Sequence, residues 1–540
     1  MNPHDPLDSP NSLMADTADI YDDAIAACGR REWTRALRMA SELLVRAPGH
    51  AGIHYIAGVA CVELGRAAQA VGFLRRATTL DSTRPSFGAA YAKALMLSGD
   101  RDSAVREADR VANLLDASAA LDTLGMIYAL AHAHQKAAAM LKRAVAASPD
   151  NAICRFTLAT TLIFLGDTAG AEIELEACLR SNPDYWKAYL ALSQLRPQSI
   201  TNNHVESLES VLARQAADNA EAAMYLHLAL AKECEDLADY QRAFSHLRRG
   251  KQAGSIGRRY VFERDRELFD SIIEAIPVGQ RADIGHPTAE PIFVIGMPRT
   301  GTTLVDRILS SHPDVQSVGE LLNFAVAVKQ QSGSRSPALI DPDTIAMSRH
   351  LDWYGLGKCY LSSTRPATGR HLRFVDKMPH NFLYAGHIAR ALPQAKIICL
   401  RRNPMDTCLS NFRQLFAADA PFFGYSFDLL DTGRYYLLFD QLIAHWRQAL
   451  PGQFLEMDYE ELVNMQEVAS RKLMSFCGIA WDEACLHFER NASAVVTASA
   501  IQVRSAMYRD AMDRWKKYGS QLDELHELLA SAGVIRTESR

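Results

Sequence analysis

Three short segments in the second half of the chain carry residue types that bind anions, each directly after an apolar run. The first is Gly296-Met-Pro-Arg-Thr-Gly-Thr-Thr303, which follows Pro291–Ile295. Its spacing matches a P-loop, except that Thr302 stands at the lysine position and the cation is Arg299. Backbone N–H groups of such a turn, together with the start of the following helix, form an anion cradle. The segment therefore predicts an anion-binding loop.

The second segment is Arg401-Arg402-Asn-Pro-Met-Asp-Thr-Cys-Leu-Ser410. It predicts a strand that runs into a helix, with Arg402 at the strand end and Ser410 two turns along the helix. Both side chains can then reach one anion, the arginine by bidentate contact. We interpret Arg401 as a solvated neighbour.

The third segment, Asp376-Lys377-Met-Pro-His-Asn381, places a lysine at a strand end, where its charge can stabilise charge that develops in a transition state. Glu320 follows a short strand near the predicted anion site, so its pKa can be raised and it can take a hydroxyl proton. The alternative for Glu320 is a helix-start carboxylate that complements the helix dipole. For Lys377 the alternative is a solvated surface lysine.

Together these segments resemble the sulfotransferases. Pro298–Leu304 looks like their 5′-phosphosulfate loop, and His312–Leu321 resembles the stretch that follows it in tyrosylprotein sulfotransferases and related bacterial enzymes. Arg402 and Ser410 have the spacing of the 3′-phosphate motif. The resemblance covers roughly residues 290–520 and implies 3′-phosphoadenosine 5′-phosphosulfate as co-substrate, with no metal.

The resemblance also implies roles for individual residues. Glu320 is the expected catalytic base, and Lys377 stabilises the bridging oxygen of the leaving group. Arg299, in the loop, helps Lys377 and the loop amides to hold the sulfuryl group and the leaving phosphate. His380 is a rival base, since cytosolic sulfotransferases use a histidine in a comparable segment. The residues expected to bind the donor, with Arg514 as a weaker one, are Pro298, Arg299, Thr300, Gly301, Thr302, Thr303, Arg402, Ser410, Ser499 and Arg504.

These segments need a sheet to position them. Strand patterns at 291–295, 372–375, 395–400 and 454–457 alternate with helical ones, which predicts a mainly parallel sheet with helices on both faces, that is, an α/β P-loop-like domain. Ligands of such sheets bind beyond the carboxyl ends of the strands, where all three segments fall.

The first half of the chain repeats with a period of about 34 residues. We number each repeat from its first residue, and the five repeats start at Thr17, Ala51, Pro85, Ser118 and Ala152. Position 20 is then always alanine, and position 8 is always alanine or glycine. Small residues at both positions let two antiparallel helices approach closely, so the pattern resembles a tetratricopeptide solenoid. The register breaks at Arg196-Pro197, and a further unit resumes near Met224. Solenoids of this kind bind peptides or partner proteins; dimerisation or stabilisation of the chain is the alternative.

The predicted domains are an N-terminal tail (1–16), the repeats (17–255), a linker (256–290) and the sulfotransferase domain (291–540). A net charge of −5 argues against broad nucleic-acid binding, and no apolar run is long enough to span a membrane. Ten cysteines without a C-x-x-C pair favour buried thiols in the cytoplasm. Homo-oligomerisation stays open.

The sequence thus predicts a sulfotransferase that acts on an acceptor hydroxyl, protein tyrosine being one acceptor that the resemblance implies. Two alternatives stay open. A P-loop kinase-like enzyme would need an acidic metal ligand, for which Asp376 is the candidate. A non-catalytic repeat scaffold would leave the α/β domain inert. We also expect a fragment that starts near Lys251 to bind the donor.

Overall fold

The computed structural model describes residues 15–114, 118–216, 218–279, 285–369, 371–416, 422–491, 493–497, 502–504, 507, 509 and 511–535. Its contacts divide the chain into two compact units, Met1–Ala188 and Tyr189–Arg540.

The first unit is a series of antiparallel helix pairs. Its helices are α1 (Ala15–Gly29), α2 (Trp33–Arg46), α3 (Ala51–Glu63), α4 (Ala67–Leu80), α5 (Pro85–Leu97), α6 (Arg101–Val111), α7 (Ser118–Leu130), α8 (His134–Ala147), α9 (Ala152–Leu165) and α10 (Thr168–Ser181).

Close helix packing explains the small residues of the repeat. The alanines at position 20 are fully buried: Ala36, Ala70, Ala104, Ala137 and Ala171. At position 8, a Cβ added to Gly125 would lie 2.5 Å from Cγ of Leu141 on the paired helix, so a larger residue cannot be accommodated without a shift. The predicted solenoid of helix pairs is confirmed.

The second unit starts inside α11 (Trp186–Leu195), just before the register break. It continues with α12 (Val205–Ala213), α13 (Ala220–Asp236), α14 (Tyr240–Ser255) and α15 (Phe262–Ala275). The pair α13 and α14 is the further unit predicted near Met224, and its Ala243 and Leu247 are buried as the repeat spacing requires. Contact density thus groups this helix pair with the C-terminal unit, and the boundaries at residues 255 and 290 stay a prediction.

A five-stranded parallel sheet forms the centre of the second unit, with the order β2-β3-β1-β4-β5. The strands are β1 (Pro291–Gly296), β2 (Val315–Ser317), β3 (Arg373–Asp376), β4 (Lys396–Arg401) and β5 (Phe454–Asp458). The helices that follow are α16 (Thr302–Ser310), α17 (Asn323–Ser332), α18 (Pro342–Met347), α19 (Trp353–Thr368), α20 (Ala385–Ala391), α21 (Pro404–Arg413), α22 (Leu429–Ala449), α23 (Tyr459–Asn464), α24 (Gln466–Cys477) and α25 (Asp523–Ser531). The predicted α/β arrangement is confirmed.

Helices cover both faces of the sheet, so its strands are apolar on both sides. From β1, Val294 packs in one core with Val305 of α16 and Leu473 of α24. Phe293 points the other way, with its ring 5.5 Å from that of Tyr360 on α19. Burial on both faces is the reason why the central strands β1 and β4 contain continuous apolar runs rather than alternating patterns.

Within the described residues, no helix is both long and apolar enough to cross a membrane. The ten cysteines are unpaired, and all but Cys359 are buried.

Candidate active site

Two of the predicted segments meet at the centre of the sheet. β1 and β4 are neighbours in register, with Gly296 opposite Leu400. The chain leaves β1 towards β2 on one side of the sheet and leaves β4 towards β5 on the other. This reversal opens a crevice beyond the strand ends, which is where open parallel sheets bind ligands.

The loop after β1 holds its backbone in a strained, open conformation. Arg299 has φ 67° and Gly301 has φ 104°, both in the left-handed region that disfavours L side chains. At Gly301 an added Cβ would lie 2.5 Å from Cδ2 of Tyr459, so only glycine fits. The loop leads into α16, and the N–H groups that precede the first hydrogen bond of a helix can bind an anion.

Buried hydrogen bonds hold the backbone of this loop in place. Thr300 Oγ1 donates to the carbonyl of Met297 at 2.7 Å, so its hydroxyl serves the loop itself. Asn411 of α21, also buried, donates from Nδ2 to the carbonyl of Pro298 at 2.7 Å. The Tyr425 hydroxyl donates to Oδ1 of Asn411 at 3.0 Å. Sequence reasoning missed Asn411, which stands next to the predicted Ser410.

Arg402 lies at the end of β4, against the same loop. Its Nη1 donates to the carbonyl of Arg299 at 3.2 Å, and its guanidinium stacks over the ring of Tyr459 at 5.0 Å. Nη2 donates to the carbonyl of Ala511 and also lies 3.7 Å from Asp406. Its Nε is buried and has no hydrogen-bond partner among the residues that the structure describes. Because a buried charged donor is costly to leave unsatisfied, this atom indicates an anionic ligand.

Five of the predicted donor-binding residues of the two segments line one cavity, whereas Pro298, Thr300 and Thr302 are not among its lining residues. Its lining comprises Arg299, Gly301, Thr303, Leu304, Arg402, Ser410, Arg413, Tyr459, Phe488, Gln502, Val503, Met507, Ala511 and Arg514. Four of these side chains are arginines, so the cavity is strongly cationic. Arg413 was not predicted, although its position three residues after Ser410 puts both on one face of α21 and is a usable signal.

The late segment enters the cavity in part. Gln502 accepts a hydrogen bond from Nη2 of Arg299 at 2.9 Å, and Thr497 Oγ1 lies 3.4 Å from Oγ1 of Thr303. Arg504 points elsewhere, with Nη2 at 3.5 Å from the carbonyl of Ser493. Ser499 lies outside the described residues.

Arg401 is not the solvated residue that the sequence suggested. It is mostly buried and binds Asp440, while its Nε lies 3.7 Å from Glu456. These carboxylates hold the pKa of Arg401 above its usual value although burial opposes this. Arg401 therefore forms structural ion pairs with these two carboxylates and is not part of the site around Arg402.

Glu320 and Lys377 form a second charged group, at the end of β3. The N–H of Lys377 donates to the carbonyl of Gly319 at 2.9 Å, which brings the two segments side by side. Nζ of Lys377 then binds a carboxylate oxygen of Glu320. The lysine side chain is only 1% exposed and that of Glu320 is 41% exposed, so the pair reaches the surface through the glutamate. Lys377 is therefore not a solvated surface lysine.

Two buried carboxylates lie near Lys377. Burial raises the pKa of Asp306 on α16, although Lys377 and the Ser317 hydroxyl oppose the shift. Burial likewise raises the pKa of Asp376 to about 7, against hydrogen bonds from the hydroxyl of Tyr360 and the N–H of Leu321. The Tyr360 hydroxyl lies 2.9 Å from Oδ2 of Asp376. Through Leu321, Asp376 also holds the turn that carries Glu320.

His380 lies in an aromatic enclosure. Its ring stacks on Phe422 at 4.7 Å and meets Phe423 edge-on at 4.9 Å. Both ring nitrogens are buried, and no described residue forms a hydrogen bond with either of them. Burial lowers the pKa of His380 to about 3. The neutral imidazole is therefore the stable form at neutral pH.

The matches to known proteins agree with this geometry. Residues 291–483 match the model of the sulfotransferase family, and residues 128–195 match that of the tetratricopeptide repeat. The residues that match the sulfotransferase family model all lie in the second unit. The first match spans the loop after β1, Glu320, Lys377, Arg402 and Ser410.

Three relatives illustrate the similarity. An "Uncharacterized protein" of Aquifex aeolicus (strain VF5) is 32% identical over 348 residues, which are 62% of this chain and 45% of that protein. Protein-tyrosine sulfotransferase 1 of Danio rerio is 27% identical over 47% of this chain and 74% of its own length. Protein-tyrosine sulfotransferase A of Caenorhabditis elegans is 24% identical over 45% of this chain and 66% of its own length. This chain thus spans less than half of the Aquifex protein.

Proposed function

We propose that the protein is a sulfotransferase that uses 3′-phosphoadenosine 5′-phosphosulfate and acts on an acceptor hydroxyl. The observation that carries this proposal is that Arg299, Thr303, Arg402 and Ser410 line one and the same cavity. One pair comes from the loop after β1 and the other from the segment after β4. A ligand with two separate anionic groups suits this arrangement.

The cavity residues fit the donor. Within the described part of the chain the buried Nε of Arg402 has no acceptor, and a 3′-phosphate would supply one with a full negative charge. Ser410, largely buried on the next helix, can donate to the same group. The loop amides, Arg299 and Thr303 would hold the 5′-phosphosulfate. ATP has no 3′-phosphate, so Arg402 and Ser410 would select against it.

Glu320 and Lys377 provide the groups for the chemistry. The donor supplies a sulfuryl group attached to a phosphate leaving group. Glu320 would accept the proton of the acceptor hydroxyl, for which its exposed carboxylate is accessible. Lys377 would place its ammonium where negative charge develops on the leaving oxygen. In the structure the lysine orients the glutamate by direct contact.

Burial favours Glu320 over His380 as the base. Protonation of His380 would place a charge inside a phenylalanine enclosure, which is why its pKa is lowered to about 3. Glu320 keeps contact with both solvent and Lys377. We infer that His380 is a structural residue beside the site.

The kinase alternative is disfavoured by the surroundings of Asp376. This carboxylate is fully buried, accepts from Tyr360 and has a pKa raised to about 7. A Mg²⁺ ligand is an ionised carboxylate that faces the nucleotide phosphates. The alternative of a non-catalytic scaffold predicts no affinity for the donor, so a measurement of nucleotide binding distinguishes it from an enzyme.

We propose a protein or peptide as the acceptor, with tyrosine as the first side chain to test. Two relatives carry the name protein-tyrosine sulfotransferase. The tetratricopeptide match adds an element suited to extended peptides. Labelled donor incubated with a cell extract, followed by identification of the labelled species, would name the acceptor.

Donor selectivity tests the proposal directly. Calorimetry should give an affinity for 3′-phosphoadenosine 5′-phosphate at least about tenfold higher than for AMP, because one charge-assisted phosphate site contributes ~1.5–3 kcal/mol. Arg402→Ala should reduce this ratio and leave AMP binding nearly unchanged. Arg447→Ala is the control, since Arg447 is exposed and pairs with Glu456 away from the cavity. Equal affinities for the two nucleotides in the unmodified chain would contradict the proposal.

A further inference from the structure

A carboxylate from the repeat-like helix pair binds two of the cavity arginines. Glu235, near the end of α13, lies 2.6 Å from Nη2 of Arg413 and 3.0 Å from Nη1 of Arg514. The hydroxyl of Tyr518 donates to the same carboxylate at 2.7 Å. Arg413 and Arg514 both line the cavity, beside Arg402 and Ser410.

The charges of this cluster do not cancel. The Glu235 side chain is only 9% exposed, and burial alone would raise its pKa. Arg413 and Arg514 outweigh burial, so the pKa of Glu235 lies below its usual value and the carboxylate is ionised at neutral pH. One negative charge thus meets two guanidinium groups. The cluster keeps a net positive charge next to the cavity, which an anionic ligand would complement.

The position of Glu235 is fixed by the packing of the helix pair. From α14, the ring of Phe244 lies 6.4 Å from that of Phe412 and 6.1 Å from that of Tyr518. Lys251 Nζ donates to the carbonyl of Gln414 at 2.7 Å, just beyond the end of α21. The helix pair therefore holds both the end of α21, which carries Arg413, and the 3₁₀ helix Arg514–Leu522.

We propose that Glu235 is a positioning residue for the donor. It holds Arg413 and Arg514 in place before the nucleotide arrives, so that the 3′-phosphate meets fixed cations rather than mobile side chains. This inference rests on the proposed function, because it takes the ligand to be a 3′-phosphorylated nucleotide. Fixing side chains in advance raises affinity because their rotamer freedom is not lost on binding.

The proposal links the helix pair to the donor. If α13 positions the arginines, donor affinity depends on the packing of α13 and α14. By thermodynamic reciprocity the bound nucleotide must stabilise that packing to the same extent. The stability of the helix pair would then depend on whether the nucleotide occupies the donor site. The opposite possibility is that the Glu235 carboxylate competes with the phosphate for the guanidinium groups, in which case its removal would tighten binding.

The test is Glu235→Gln in the full chain, with 3′-phosphoadenosine 5′-phosphate and AMP as probes in calorimetry. The matched control is Asp236→Asn on the same helix, since Asp236 pairs with Lys232 and accepts from the N–H of Gln198 at 2.8 Å. We expect Glu235→Gln to weaken binding of the 3′-phosphorylated nucleotide about tenfold and that of AMP by less than about twofold. Asp236→Asn should change neither affinity. Hydrogen exchange in α13 should slow on nucleotide binding in the unmodified chain, and less so in Glu235→Gln.

Several results would contradict the inference. Unchanged or tighter binding in a folded Glu235→Gln chain overturns it, and so does an equal loss for both nucleotides. If that variant does not fold, Tyr518→Phe removes the 2.7 Å bond to Glu235 without a change of charge. A roughly twofold to fivefold loss is expected there, and no loss overturns the inference. If the unmodified chain does not prefer the 3′-phosphorylated nucleotide, the proposed function fails first and this inference fails with it.

Discussion

Removal of residues 1–250 should destabilise the C-terminal unit, whereas removal of residues 1–188 should not. The compact unit starts at Tyr189, so a cut there leaves the contacts within that unit intact. A cut at Lys251 removes α13 and most of α14. It takes away Glu235 and Phe244, and the end of α21 and Tyr518 then lose the helices that cover them. The repeat register alone leads to the opposite expectation for the Lys251 fragment.

The size of the effect follows from the apolar surface that the helix pair covers. Phe412 and Tyr518 are buried and lie against Phe244 of α14. Exposing one buried side chain of this size costs ~1.5–3 kcal/mol, so the two together should cost at least about 3 kcal/mol. Single domains are stable by only ~5–15 kcal/mol, so the shorter fragment should lie close to the limit of folding.

Urea unfolding of the two fragments, followed by tryptophan fluorescence, measures this difference. The fragment 189–540 should bind 3′-phosphoadenosine 5′-phosphate like the full chain. The fragment 251–540 should be less stable by at least about 3 kcal/mol and bind the nucleotide at least about tenfold more weakly. Equal stability and equal affinity would refute the role given to the helix pair, and insolubility of the shorter fragment alone would agree with it.

Two further predictions concern the charged group at the end of β3. Glu320→Gln should keep nucleotide affinity but lose turnover by ~10²–10⁴-fold in a labelled-sulfate transfer assay, while His380→Asn should keep most activity; the reverse would move the base to His380. The pKa of Asp376 is raised from its usual 3.8 to about 7, so the folded state holds a proton that the unfolded state releases, and stability is lost as pH rises through this window. Asp376→Asn should flatten that loss in urea unfolding at a series of pH values, and an unchanged slope would contradict the assignment.

Local patterns made the framework of the site predictable. The loop after β1 and the Arg402–Ser410 segment are each contiguous, and each follows a strand whose apolar run is visible in the sequence. Once both strands are known to be parallel, their carboxyl ends must lie at the same edge of the sheet. The repeat helices were predictable for a related reason, because a fixed period restricts which small residues pack at each position.

The residues that complete the site could not be found in this way. Glu235 stands in a helix rich in acidic residues, and only tertiary packing distinguishes it from Asp236. Asn411 supports the loop over a separation of 113 residues. Arg413 had a usable signal in its spacing from Ser410, but its carboxylate partner lies far away in the chain. Electrostatic partners of this kind are set by the fold and leave no period in the sequence.

One feature of Arg402 shows how far the cavity depends on distant parts of the chain. Asp406, which lies 3.7 Å from Arg402, also accepts from the N–H groups of Asp513 at 2.8 Å and Trp515 at 3.0 Å. The segment from Asp513 to Tyr518 is thus held by α21 on one side and by Glu235 on the other. Arg402, Asp406, Arg413, Arg514 and Glu235 therefore belong to one charge network rather than to separate motifs. Because coupled charges do not contribute additively, substitutions at Arg402 and Glu235 should show an interaction energy in a double-mutant cycle even though only Arg402 belongs to a recognisable donor motif.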